Sequence, residues 1–232
     1  GVVTGSSSVG GLIGQSSASY AKNIHADVAV TGTGVTGSTG GLIGQMTGTV
    51  SDAYATGAVT GTESVGGLFG YFGGAATDVF ATGNVTGSNT YVGGLYGQGA
   101  ATSTATNAYA TGNVASSYAG VVYAGGLGGY ARKTASFTNV YATGNVSAPS
   151  GQYVGGLFGQ FVGGTITNAF STGSVSGTDY VGGFIGGIHA SGGQAGNVTI
   201  TNAYATGAVT TAGSNKGTFT VRFYANTGFT TT

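Results

Sequence analysis

The sequence predicts an all-β chain wound as a β-solenoid, a β-helix-like rod of about seven stacked coils with a terminal strand. Three observations predict it. An aromatic residue, a small residue, Thr and Gly recur six times: Tyr54–Gly57, Phe80–Gly83, Tyr109–Gly112, Tyr141–Gly144, Phe170–Gly173 and Tyr204–Gly207. Between them Val-Gly-Gly-Leu-x-Gly recurs at Val65–Gly70, Val92–Gly97 and Val154–Gly159, with Phe184 for Leu in Val181–Gly186. Gly-Gly pairs beginning at Gly10, Gly40, Gly66, Gly93, Gly125, Gly155 and Gly182 lie 26 to 32 residues apart, a period that signals stacked units.

Each element of the unit has its own justification. Short runs of Val, Thr, Tyr, Phe and Ile bounded by Gly and Asn read as strands, two or three per unit. No segment has an apolar stripe of helical period, and each Gly costs a helix about 1 kcal/mol relative to Ala. A Leu column (Leu12, Leu42, Leu68, Leu95, Leu127, Leu157, then Phe184) and a Val column from Val59 to Val209 supply the interior. Stacking at the inter-strand spacing of about 4.8 Å gives a rod roughly 35 Å long. A right-handed coil is the expectation, although no residue fixes the hand.

Two residues before the aromatic stands an amide or carboxylate column: Asp27, Asp52, Asp78, Asn107, Asn139, Asn168 and Asn202. Asn107, Asn139, Asn168 and Asn202 are expected to form a structural ladder that satisfies amides between coils. Strict alternation fails at this column, which predicts a bend or bulge. His25 falls, in this alignment, in an otherwise mostly apolar column two residues further back, with Val50 and Ile166. The glycines are expected to supply positive φ at corners and close backbone approach.

After the aromatic comes Thr: Thr31, Thr56, Thr82, Thr111, Thr143, Thr172 and Thr206. The direction of the ring column (Tyr54, Phe80, Tyr109, Tyr141, Phe170, Tyr204) stays open. Large aromatics dominate cores, which favours an inward stack holding the coils in register. The opposite choice makes rings and Thr a surface ladder. Residues 1–211 read as the repeat solenoid and 212–232 as a degenerate last coil or capping strand. There Lys216-Gly217 replaces the Gly-Gly pair, and Phe219, Val221 and Phe223 alternate as in a half-buried strand.

Composition narrows the partners. Charged residues are 4% of 232 and the net charge is zero, so no basic field draws nucleic acid or anionic lipid. No apolar run approaches the roughly 20 residues of a membrane helix. With 40% apolar and 11% aromatic residues, the chain is unlike a disordered one. It has no Cys, which removes disulfides and thiolate metal sites. Val2-Val3-Thr4-Gly5 matches the repeat end Ala58–Gly61, so the chain is expected to be a piece of a longer array.

Catalytic chemistry has few carriers. There is no His-Glu-x-x-His and no Gly-x-Ser-x-Gly, the helix-borne zinc and serine-elbow signatures. Gly32–Gly37 spells Gly-x-Gly-x-x-Gly, but a phosphate cradle needs a following helix. Asp27, Asp52 and Asp78 are expected on adjacent coils about 5 Å apart. They read first as turn caps in place of Asn. A Ca²⁺ site, the one cofactor considered, and a glycosidase-like carboxylate pair are the alternatives. Arg132-Lys133 reads as a solvated charge pair. Asn84, Asn145 and Asn197 open glycosylation sequons that the repeat itself generates. Variable segments at 99–104, 116–123 and 187–197 read as loops where specificity would sit.

These residues resemble the GLUG-motif repeat family, named from Gly-Leu-any-Gly. The likeness rests on Gly67-Leu68-Phe69-Gly70, on Asn107–Gly112 and on the Val-Thr-Gly close, and it spans residues 2–211. The resemblance implies a segment of a bacterial secreted or surface-anchored protein. Such repeats occur in adhesin and haemagglutinin-like proteins and beside IgA-specific metallopeptidases. It brings no catalytic residues. The expected function is therefore a non-enzymatic structural or adhesive segment of an extracellular surface protein or fibre. Its expected partners are a host or environmental surface, glycan or protein, further repeats, or its own copies end to end. An ice-binding or self-assembling filament and a polysaccharide-acting solenoid enzyme are the alternatives.

Overall fold

One coil takes four strands: Tyr91–Gly93, Tyr96–Gly99, Thr104–Ala110 and Val114–Ser116. In this computed structural model residues 1–17, 19–188, 197–219 and 229–231 are described, and among them there is no helix. Like strands of successive coils pair in parallel and in register, as in Thr104–Ala110 beneath Ala75–Ala81. The result is a β-solenoid. The Gly-Leu strands form a seven-stranded sheet from Ile13–Ser16 to Ile185–Ile188, so the chain makes about six turns between its first and last members. The aromatic strands form an eight-stranded sheet that ends on Phe229–Thr231. The two Val-bearing rows make one 14-stranded sheet, fused where Val146–Gly155 and Val175–Gly182 each serve both rows.

The interior has two cores. Leu42, Leu68, Leu95, Leu127, Leu157 and Phe184 stack in the larger one, between the Gly-Leu and aromatic sheets. A Val core, with Val59, Val85, Val114 and Val146 facing Val65, Val92 and Val154, lies inside the 14-stranded sheet. Glycine and alanine form the waist between them: a Cβ on Gly94 would meet the Gly126 carbonyl and stand 2.9 Å from the Ala110 Cβ. At that waist Ser171 replaces the Ala and donates its hydroxyl to the Gly183 carbonyl at 2.7 Å.

The glycines serve close approach and not positive φ. A Cβ on Gly97 would lie 2.5 Å from the Val65 nitrogen and 2.8 Å from the Ser64 carbonyl carbon. The Gly-Leu strand therefore presses flat on the backbone of the neighbouring Val row, which explains the last Gly of Gly-Leu-x-Gly. Gly164 is the one described Gly at positive φ. Seven of the ten described left-handed non-Gly positions are Asn23, Asp52, Asp78, Asn107, Asn139, Asn168 and Asn202, at φ 52–56°; Thr134, Tyr153 and Tyr180 are the others. Asn and Asp tolerate this region better than other side-chain-bearing residues. Every coil bends at the same rung, so the bend stacks and the register is kept.

The register also corrects the first coil. Ile24 pairs with Ala53 and His25 with Tyr54, so Asn23, not Asp27, sits over Asp52. Thr31 pairs with Thr60, four columns beyond Thr56. The similarity of Ala29-Val30-Thr31-Gly32 to Tyr-Ala-Thr-Gly misleads, because its match is Ala58–Gly61. In the tail, Lys216-Gly217 pairs with Val181-Gly182 and Phe219 stacks on Phe184 at 4.6 Å. The Leu column thus continues to residue 219 through a ring. The expected alternation at Val221 and Phe223 lies outside the described residues.

Candidate functional site

The outer face of the aromatic sheet is built by the bend. In Phe137-Thr138-Asn139-Val140-Tyr141-Ala142 the first, fourth and sixth side chains are buried. Thr138, Asn139 and Tyr141 point outward. The left-handed Asn puts two outward residues in succession and opens a furrow between the Asn and aromatic columns.

The ring column faces solvent, against the expectation of an inward stack. Ala53 and Ala55, on either side of Tyr54, take the interior places at 1% exposure. The waist of the coil admits only small side chains there, which forces the rings out. Seven rings stack without a gap. His25 meets Tyr54 at 4.8 Å, and Tyr54, Phe80, Tyr109, Tyr141 and Phe170 follow at 4.7–4.9 Å with planes within 3°. Tyr204 closes the row at 5.2 Å, 53% exposed. Each ring gives its faces to its neighbours and turns an edge to solvent, so a sugar finds a free ring face only at the ends. Burial and the neighbouring Tyr109 raise the Tyr141 hydroxyl pKa above its usual value.

Beside the rings runs the amide ladder. Asn107 Nδ2 donates to Asp78 Oδ1, Asn139 to Asn107, Asn168 to Asn139, each at 2.9 Å, and Asn202 to Asn168 at 3.0 Å. Asp78 accepts and starts the ladder; Asp52 below it faces Lys22 Nζ at 3.6 Å. Asp27 belongs to the Thr column, where it accepts from the Thr56 hydroxyl at 2.7 Å and stands 4.0 Å from His25. The three Asp residues singled out for a cation are therefore split over two columns. Among the described residues no group of three His, Asp or Glu side chains converges.

Thr56, Thr82, Thr111, Thr143, Thr172 and Thr206 form an exposed row two residues beyond the rings. A second amide row follows: the backbone N–H groups of Asn113, Asn145 and Ser174 donate to Oδ1 of Asn84, Asn113 and Asn145 at 2.9 Å. In the sequence Asn84 and Asn145 read only as sequons. A second ring stack was missed as well. Tyr91, Tyr123, Tyr153 and Tyr180 stack at 4.9–5.4 Å on the opposite corner, with Tyr130 against Tyr91 and Tyr123. Its signal was one residue away, since each of these tyrosines precedes the Val or Ala before a Gly-Gly pair. Burial pushes the Tyr123 hydroxyl up to about 12, with Tyr91, Tyr153 and Tyr130 adding to the shift.

Of the variable segments, 99–104 tucks in: Ser103 is buried and its hydroxyl donates to the Ala100 carbonyl at 2.6 Å. Segment 116–123 drops Val122 into the Val core and leaves Tyr118 and Val121 exposed. Most of 187–197 lies outside the described residues. Arg132 is exposed, and its charge counters the rise that burial imposes on Tyr91 and Tyr130. No protein-family model, no characterised protein and no solved structure matches this chain significantly.

Proposed function

We propose that this chain is a non-enzymatic structural and adhesive segment of a bacterial extracellular surface protein or fibre, a stalk whose aromatic face is also its contact surface. One observation carries the reading. Seven rings stand outward in one row, flanked by an amide ladder and a Thr row. Contiguous apolar surface left exposed on a folded chain marks an interaction site. The resemblance to GLUG-motif repeats supports the same placement, outside a bacterial cell. Contact with a host or environmental surface would use ring edges, hydroxyls and amides together, along the rod and not at one point. The test measures adhesion of the purified chain to glycan arrays and protein-coated surfaces. Loss of adhesion when Tyr109 and Tyr141 are both changed to Ser supports the proposal; undiminished adhesion refutes it.

Low charge favours a second reading, stacking of the coils on further repeats or on other copies end to end. Charged residues are only 4% of the chain, and parallel strands with so little charge lack the usual protection against pairing with another chain. Ordered filaments in electron micrographs, lengthening with concentration, are the expected sign, and a monomer at all concentrations removes this reading. Ice binding has less support, because the rings stand beside the Thr row and interrupt its flatness.

A further inference from the structure

Two clefts of about 390 and 460 Å³ lie in the furrow between the amide and ring ladders. One runs from Asp78 and Phe80 to Asn139 and Tyr141; the other continues from Asn139 and Tyr141 to Tyr204. Sharing Asn139 and Tyr141, they form one groove along the rod axis. Val140 and Ala169, both almost fully buried, line the bottom of the second cleft. With five rungs at the inter-strand spacing, it is about 20 Å long.

We propose that this groove binds an elongated, planar, conjugated aromatic molecule lying parallel to the rod axis, with a cationic end toward Asp78. This deepens the reading of the face as a contact surface and rests on it. The ring faces are already used in stacking, and what the row offers is a line of edges. Aromatic edges are electropositive and faces electronegative, so a flat π system laid against the row makes an edge-to-face contact at every rung. A compact ligand meets one rung; an extended one meets three or four at no further cost in orientation. Sugar rings lack the π face that such edges prefer. The opposite wall adds donors, because each ladder Asn spends one of its two amide N–H groups on its neighbour and keeps the other. Charge sets the orientation. Asp78 lines the groove at one end, and no Lys or Arg lines either cleft. Lys22, the basic residue paired to this column, is engaged by Asp52.

Thioflavin T, a cationic conjugated dye, is the probe. It is titrated against the chain and followed by fluorescence, with analytical ultracentrifugation identifying the species that carries the dye. The expected result is one dye per monomer. Tyr141→Ala, at the junction of the two clefts, should weaken binding by about tenfold, and Tyr141→Phe should restore it. Tyr123→Ala, in the other ring stack, should leave it unchanged. Asp78→Asn should weaken the cationic dye by about threefold and spare its uncharged analogue. Dye found only on sedimenting aggregates, or binding indifferent to Tyr141→Ala, overturns the proposal. Dye binding abolished by Tyr123→Ala assigns it to the other corner and overturns it equally. Failure here, with adhesion still lost in the Tyr109/Tyr141 double variant, removes the ligand class and leaves the contact surface standing.

Discussion

Replacing Asn139 by Ala separates the two roles of the amide ladder, hydrogen bonding and backbone shape. Asn139 donates to Asn107 and accepts from Asn168, both at 2.9 Å, and holds φ at 56°. Its side chain is exposed, so each bond sits at the low end of the usual range, about 0.5 kcal/mol. A left-handed backbone costs a residue such as Ala about 1.5 kcal/mol. Asn139→Ala should therefore destabilise the fold by about 2.5 kcal/mol, the sum of both losses. Asn139→Gly loses the same two bonds but accepts the backbone, adding only about 0.5 kcal/mol of chain entropy, so it should cost about 1.5 kcal/mol. The assay is urea unfolding followed by far-UV circular dichroism and tyrosine fluorescence. Coincident transitions by the two probes are the condition for quoting a free energy, since stacked coils can unfold in steps. A Gly variant as unstable as the Ala variant, or an Ala variant within about 0.5 kcal/mol of the parent, refutes the reasoning.

Three further outcomes are expected. Tyr96 is fully buried and its hydroxyl lacks a hydrogen-bond partner. Tyr96→Phe should stabilise the chain by about 1 kcal/mol, read as a higher denaturation midpoint; a lower midpoint would mean the hydroxyl is paired. Gly97→Ala should cost about 3 kcal/mol or more, because its Cβ would meet backbone that cannot step aside. Gly73→Ala should cost under about 1 kcal/mol, because its nearest obstacle is the Tyr71 ring edge at 3.1 Å; equal melting temperatures for the two variants contradict the packing argument. Stability should be lost in alkali. Folding raises the Tyr123 hydroxyl from 10.0 to about 12, so the folded chain holds its proton more tightly between those values. This contribution is full below pH 10 and fades as pH rises through 12. Solvent screening of a half-exposed ring limits it to about 1 kcal/mol. Denaturation midpoints from pH 9 to 12 should fall less steeply in Tyr123→Phe, and identical slopes would discard the assignment.

Much of the fold was legible because a repeat reports its own columns. Leu42 to Phe184 and Val59 to Val175 announce interior ladders, and the structure places them there. The Asn ladder was legible in the same way, down to the partners of Asn139. The direction of the rings was not. Tyr54 and Ala53 alternate, and period alone leaves either one inward. The deciding quantity is the width of the waist, set by the approach of the Gly94 and Ala110 columns, which the sequence does not state. Asp27 was misplaced for a related reason. Thr-Gly closes two different strands of each coil, and with His25 standing where later coils carry Tyr or Phe, the first coil does not mark which is which by its sequence. The Tyr123 stack escaped although Tyr91, Tyr123, Tyr153 and Tyr180 share one column, because only four of the coils carry a Tyr there.

Each coil stores its chain sideways. Some 26 to 32 residues lie behind an axial rise of about 5 Å, although the same residues fully extended reach about 90 to 110 Å. A coil touches only its neighbours, so load applied at the two ends detaches one coil at a time and leaves the rest intact. Each coil lengthens roughly twentyfold as it detaches, before the next one yields. Under tension it gives way in instalments, dissipating work at every step, and the coils still wound keep their outward rings in line.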